Sequence, residues 1–96
     1  MYGMIWRYGR VAGSLDDLTR AGHELAAVLG KAPGFVACAV LDTDGGGGAA
    51  VGLFERRADL DEAGRLVARW TAEHLAGPLP EALQVTSGEV VGQRGI

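Results

Sequence analysis

His74 and Trp70 are the residues of this sequence whose types and spacing are best suited to chemistry. They lie four positions apart, so in a helix their side chains share one face. Histidine changes its charge near neutral pH, and on a buried face it could exchange a proton with a bound molecule. The alternative is a core histidine that only makes a structural hydrogen bond. The shared face is apolar and comprises Leu60, Ala63, Leu66, Val67, Trp70 and His74.

A second group of candidate residues lies near the N-terminus. Residues Met4–Val11 are rich in β-branched and aromatic types and predict a first strand. Side chains alternate between the two faces of a strand, which puts Trp6, Tyr8 and Arg10 on the same face. One interpretation is that these residues line a pocket. The other is that the arginine stems lie along the sheet and their charged ends reach water.

Two helices are predicted to position these groups. The first has Ser14 as its N-cap and ends near Gly30. Asp59 and Glu62 have the spacing of a capping box, so Asp59 is predicted to open the second helix. His23 falls on the outer face of the first helix and is expected to be solvated. The side of the first helix that faces the sheet carries Leu15, Leu18, Gly22, Leu25 and Leu29.

Three more strands are predicted, at Phe35–Leu41, Ala49–Glu55 and Ala82–Val91. The loop Asp42–Gly48 joins the first two of these into a hairpin, and its glycines lack the lysine and hydroxyl of a phosphate-binding loop. Gly52 predicts a bulge or a close approach by another backbone. A break or bulge is also expected near Gly88.

The composition excludes several classes of function. A length of 96 residues predicts one domain spanning 1–96. The net charge of -3, with acidic and basic residues intermixed, gives no footprint for nucleic acid or an anionic membrane. The single cysteine, Cys38, is expected in the core, and no set of metal ligands is indicated. The lack of a signal-peptide pattern or of an apolar stretch of about 20 residues favours a cytoplasmic location.

The order strand, helix, strand, strand, helix, strand is the ferredoxin-like βαββαβ pattern. This α+β fold has a four-stranded antiparallel sheet with both helices on one face. The central segment Pro33–Glu55 is apolar on both sides of its hairpin, so its open face also needs cover. A chain of this length hardly supplies a second layer. The expected cover is a second copy, in a homodimer whose sheets meet face to face.

The sequence also resembles a known family. Its order of elements, the Pro33-Gly34-Phe35 start of the second strand, and the Phe54-Glu55 end of the third strand resemble the dimeric α+β barrel superfamily. The likeness is greatest to antibiotic biosynthesis monooxygenase-like domains and covers essentially the whole chain. These domains usually have tryptophan before the glutamate, where this chain has Phe54.

The resemblance implies a homodimer with a cavity between helices and sheet in each subunit. It suggests a cofactor-independent monooxygenase acting on an aromatic or phenolic small molecule that supplies the electrons itself. In that case His74 is the catalytic residue that takes the phenol proton, and Trp6, Tyr8, Arg10 and Trp70 bind the ligand; no cofactor is expected. The alternative is a dimer that binds a small apolar molecule without catalysis, or whose main role is association.

The haem-degrading branch of the same superfamily suggests a third function. It uses a histidine on the second helix as iron ligand, an earlier tryptophan on that helix, and an asparagine on the first strand. His74 lies close to the ligand position. The sequence contains no asparagine, however, and Ala63 or Gly64 occupies the tryptophan position. Haem binding or degradation therefore fits these residues less well.

Overall fold

The computed structural model describes residues 1–8, 15–43, 47–74 and 84–95. Its elements follow the order strand, helix, strand, strand, helix, strand, which confirms the predicted ferredoxin-like α+β fold. The elements are β1 (Tyr2–Tyr8), α1 (Leu15–Gly30), β2 (Phe35–Thr43), β3 (Gly47–Phe54), α2 (Arg57–His74) and β4 (Gln84–Glu89).

The four strands form one antiparallel sheet in the order β2-β3-β1-β4. The central strands are therefore β1 and β3. Directly opposite residues of paired strands point to the same face of a sheet. Trp6 of β1 lies opposite Ala50 of β3, which in turn lies opposite Val40 of β2. These three residues consequently share one face.

Both helices cover that same face. Gly22 of α1 lies against Val40, since a Cβ at Gly22 would stand 3.3 Å from Cγ1 of that valine. Gly64 of α2 lies over Met4, whose Cε would be 3.8 Å from a Cβ at the glycine. Met4 is two residues from Trp6 on β1 and so shares its face. The predicted arrangement of both helices on one side of the sheet is confirmed.

The hydrophobic core lies between the helices and the sheet. The predicted apolar stripes of both helices are confirmed where the structure describes their side chains, while His23 is exposed as expected. Cys38 is half-buried against this core, as predicted, and burial raises the pKa of its thiol. The buried members of the core are Met4, Trp6, Leu25, Leu29, Ala32, Ala50, Phe54, Leu60, Ala63, Val67 and Trp70.

The start of α2 differs from the prediction. Asp59 is the third residue of the helix and not its cap. Its Oδ2 accepts hydrogen bonds from the backbone N–H of Arg56 at 3.1 Å and from Nε at 3.2 Å, and its Oδ1 accepts one from Nη2 at 3.1 Å. A carboxylate that reaches back to the residue before the helix is the reciprocal half of a capping box. Glu62, the predicted partner, instead accepts from Nη2 of Arg65 at 2.7 Å.

Asp59 also fixes how the chain enters β2. Its side chain is 3% exposed, and a Cβ at Gly34 would collide with the carboxylate. Gly34 has a φ of 69°, in the left-handed region that other residues rarely adopt. The carbonyl of Gly34 accepts a hydrogen bond from the backbone N–H of Glu55 at 2.9 Å. This glycine therefore joins the start of β2 to the start of α2.

The strand ends differ from the predicted ones in several places. β1 begins at Tyr2, two residues early, and its predicted end at Val11 lies outside the described residues. β2 and β3 extend further into the hairpin, where Thr43 pairs with Gly47. The loop between them is correspondingly shorter than predicted.

β4 pairs with β1 without interruption. Gly88 lies opposite Gly3 in a continuous register, so the predicted break or bulge near Gly88 is wrong. The strand ends at Glu89 and not at Val91, while its predicted start at Ala82 lies outside the described residues.

Gly52 has a different role from the predicted bulge or backbone approach. It pairs regularly with Met4 and Cys38. A Cβ at this position would lie 2.8 Å from Cε2 of Phe54 and 3.2 Å from Cζ3 of Trp6. Aromatic rings therefore occupy the space that a side chain would need. The irregularity in register lies instead in β2, between Phe35 and Ala37.

The other face of the sheet is apolar and has no covering element in the described part of the chain. Register places on it Ile5, Ala37, Ala39, Leu41, Ala49, Val51 and Leu53. Ile5 is 36% exposed and Leu41 is 51% exposed. Arg7 of β1 and Gln84 of β4, which pair with each other, are polar residues on this face. This apolar surface is called the open face below.

We expect Asp59→Ala to lower the free energy of unfolding at neutral pH. The variant should also lose less of this free energy than the unchanged protein as the pH falls into the acid range. The hydrogen bonds from Arg56 hold the pKa of Asp59 below its usual value, although burial acts in the opposite direction. Such a carboxylate stabilises the fold above its unfolded pKa of about 4, and the stabilisation is lost as the pH falls through the lower folded pKa. Thermal melts from neutral pH into acid measure this.

Asp61→Ala is the matched control, because Asp61 is an exposed acid in the same part of α2. It should change the melting temperature much less. Equal melting temperatures for Asp59→Ala and the unchanged protein at neutral pH would contradict the capping role.

We expect Gly52→Ala to reduce the free energy of unfolding by about 1–3 kcal/mol, the usual effect of overfilling a packed core. Gly88→Ala is the control, since nothing lies within 4 Å of a Cβ there, and it should leave stability unchanged or slightly higher. Denaturant unfolding compares the two. An unaffected Gly52→Ala protein would show that the two rings do not need this space.

Candidate functional site

Trp6 lies in the middle of the helix-covered face of the sheet. It is 1% exposed, and its ring passes close to the backbone of Gly52. The residue was predicted either to line a pocket or to share a face with solvated arginines. Its burial places it in the core, on the side of β1 that α2 covers.

Trp70 approaches the same region from the helix. It is 6% exposed and belongs to the same hydrophobic core as Trp6. Val67, one turn earlier on α2, is fully buried. The structure thus brings together two of the predicted ligand-binding residues, one from the sheet and one from the helix. Both side chains are large and aromatic, and both are almost fully buried in the core.

The other predicted site residues fall at the limit of the described structure. His74 is the last residue of α2 and Tyr8 the last of β1, and the backbone of Tyr8 pairs with Gly48. The side chains of His74 and Tyr8 and the whole of Arg10 lie outside the described residues. Their roles remain predictions.

The backbone nevertheless places the end of α2 and the end of β1 at the same end of the sheet. α2 begins beside the sheet end where β3 finishes and β1 starts. Gly64, further along α2, lies over Met4. The rise from Gly64 to His74 is about 15 Å, and the rise from Met4 to Tyr8 is about 13 Å. The two elements therefore run in the same direction for similar distances.

Thr71 is a buried polar residue in this region that the sequence analysis did not single out. It is 7% exposed, and its Oγ1 has no hydrogen-bond partner among the described residues. It lies four positions after Val67, so it shares the buried side of α2. That spacing was the available signal, but a threonine at the border of an apolar stripe is normally read as a surface residue.

The electrostatic surroundings limit what this region can do by itself. The buried carboxylate, Asp59, lies at the opposite end of α2 and is paired with Arg56. No group of three histidine, cysteine, aspartate or glutamate side chains among the described residues could hold a metal ion. No described helix is long and apolar enough to cross a membrane. The described part of this region is aromatic and apolar.

Solved structures share this fold. SnoaB, a cofactor-independent oxygenase from Streptomyces nogalater, matches with a TM-score of 0.71 and 14% identity over 96% of this chain and 94% of that one. The haem degrader MhuD from Mycobacterium tuberculosis, with two haems bound in its active site, matches with a TM-score of 0.73 and 20% identity over 99% and 100%. An antibiotic biosynthesis monooxygenase matches with a TM-score of 0.67 and 19% identity over 96% and 100%.

No protein-family model matches the sequence, and no curated protein matches it significantly. The structural likeness confirms the predicted resemblance to antibiotic biosynthesis monooxygenase-like proteins at the level of the fold. One fold can carry unrelated activities, so the chemistry has to be argued from the residues of this chain.

Proposed function

We propose that the protein is a homodimeric, cofactor-independent monooxygenase of a phenolic small molecule that binds between α2 and β1. The observation that carries this proposal is the joint burial of Trp6 and Trp70 in one core, from the two elements that converge on that region. The fold that the chain shares with a cofactor-independent oxygenase supports it. The proposal also includes the cytoplasmic location that the sequence favours.

In the proposed reaction the protein holds the substrate and accepts a proton, and the substrate supplies the electrons. Trp6, Tyr8, Arg10 and Trp70 bind the ring, and His74 takes the phenol proton, which makes the ring electron-rich enough to react with oxygen. A suitable probe is 1,5-dihydroxynaphthalene. One oxygen atom forms a new carbonyl at the ring carbon opposite a hydroxyl, giving juglone. The ring hydrogen and the phenol hydrogen leave with the other oxygen atom as water.

The homodimer part of the proposal is supported by the open face. Its apolar residues include Ile5 and Leu41, both substantially exposed in the single chain. A contiguous exposed apolar surface of this kind usually marks an interface. A second copy pairing the same surface with itself would cover it in a closed, two-fold arrangement.

Two observations bear on the competing functions. The tight contact of Gly22 with Val40 and the full burial of Ala63 favour closely packed layers, as the non-catalytic dimer predicts. Haem fits poorly: Ala63, near the position of the haem-branch tryptophan, is enclosed in the core, and the sequence has no asparagine. No step through haem is therefore derived.

We expect the protein to convert 1,5-dihydroxynaphthalene to juglone in air faster than buffer does. His74→Ala should slow the reaction roughly hundredfold, the lower range of effects for a lost general base. Juglone absorbance and oxygen consumption measure the rate, and mass spectrometry after reaction in heavy-isotope oxygen shows one atom incorporated. His23→Ala is the control, because His23 is the other histidine and is exposed.

Full activity of His74→Ala would contradict the role of this histidine. A probe that binds, as fluorescence quenching would show, but yields no juglone above the buffer rate would favour the non-catalytic alternative.

We expect Val51→Asp to dissociate the dimer, because Val51 lies centrally on the open face between Ile5 and Ala39. An unpaired charge buried in an interface costs several kcal/mol, which should weaken association roughly thousandfold. Light scattering coupled to size-exclusion chromatography measures the mass. Ala68→Asp puts the same charge on the exposed side of α2 and should leave the dimer intact. A Val51→Asp protein of unchanged mass would contradict this interface.

A further inference from the structure

The hydroxyl of Thr71 is buried without a partner at the end of α2. The residue is 7% exposed, and Oγ1 has no hydrogen-bond partner among the residues that the structure describes. A helical threonine can bond the carbonyl four residues earlier, but this hydroxyl does not. Leaving such a group unpaired costs about 1–3 kcal/mol. Valine has nearly the same shape without that cost, so packing alone does not account for a threonine here.

Thr71 lies on the side of α2 that faces the end of β1. Thr71 follows Gly64 by two helical turns and so lies on the same side of the helix. Gly64 lies over Met4. The rise from Gly64 to Thr71 is about 10 Å, equal to about three residues of a strand. This puts Thr71 over the part of β1 between Trp6 and Tyr8.

Thr71 is also flanked by the residues that form the aromatic region. Val67 precedes it by one turn and is fully buried, and its neighbour Trp70 is 6% exposed. A single polar atom among these apolar groups would orient a bound ring, since pockets generally use few polar groups to fix direction.

We propose that Thr71 is the hydrogen-bonding residue of this binding site and that its hydroxyl recognises an oxygen substituent on an aromatic ligand. This inference rests on the proposed function and names the chemical group that the site selects. A hydroxyl both donates and accepts, so it can pair with the phenol of a substrate and with the carbonyl of a quinone product. Bare aromatic hydrocarbons would leave it unpaired.

The test compares two probes of nearly equal shape, 1,5-dihydroxynaphthalene and 1,5-dimethylnaphthalene. Their affinities are measured without oxygen, by naphthalene fluorescence, for the unchanged protein, Thr71→Val and Thr71→Ser. Thr71→Val should lower the ratio of dihydroxy to dimethyl affinity roughly tenfold, as expected for one lost hydrogen bond. Thr71→Ser should keep most of the ratio.

A second measurement separates binding from folding. Without ligand, Thr71→Val should melt at or above the temperature of the unchanged protein, because the substitution removes a buried, unpaired hydroxyl. A lower melting temperature would show that the hydroxyl has a structural partner and would overturn the inference. An unchanged affinity ratio in Thr71→Val would overturn it while leaving the proposed function standing. If neither probe binds the unchanged protein, the proposed function and this inference both fail.

Discussion

The packing of Trp6 between the sheet and α2 is the contact on which the rest of the structure depends. Its ring and that of Phe54 fill the space above Gly52, where a side chain would collide with both. Gly52 is on β3 and pairs with Met4 of β1 on one side and with Cys38 of β2 on the other. The rings therefore lie over the middle of the sheet. Small residues lie where the helices meet the sheet, with Gly22 against Val40 and Gly64 over Met4.

This arrangement gives the two faces of the sheet separate roles. The helix-covered face carries Trp6 and faces α2, which contributes Trp70 and the buried hydroxyl of Thr71, so the proposed site for a small molecule lies on this side of the sheet. The open face carries aliphatic residues that a second copy would cover in the proposed dimer. Since alternate residues of β1 point to opposite faces, Trp6 belongs to the first surface and Ile5 to the second. A change at Ile5 should therefore affect association, whereas a change at Trp6 should affect binding.

The sequence predicted those features that depend on periodicity. The element order, the stripe through Val67 and Trp70, and the exposed His23 are confirmed, because each follows from spacing along the chain. The start of α2 was misplaced because an acid can cap a helix either from the residue before it or from its third residue. Only the contacts of Asp59 with Arg56 and Gly34 show that it occupies the third position. Gly52 was misjudged because the sequence does not show that the rings of Phe54 and Trp6 fill the space above it. Thr71 was missed because a threonine at the border of an apolar stripe is normally read as a surface residue. The roles of His74, Tyr8 and Arg10 stay predictions.

Native mass spectrometry in the presence of 1,5-dihydroxynaphthalene tests the dimer and the ligand site together, because one spectrum reports both subunit number and bound molecules. We expect a dimer that takes up one probe molecule per subunit, with 1,5-dimethylnaphthalene bound less well. A monomer that stays free of the probe at saturating concentration would contradict both the role of the open face and the site between α2 and β1.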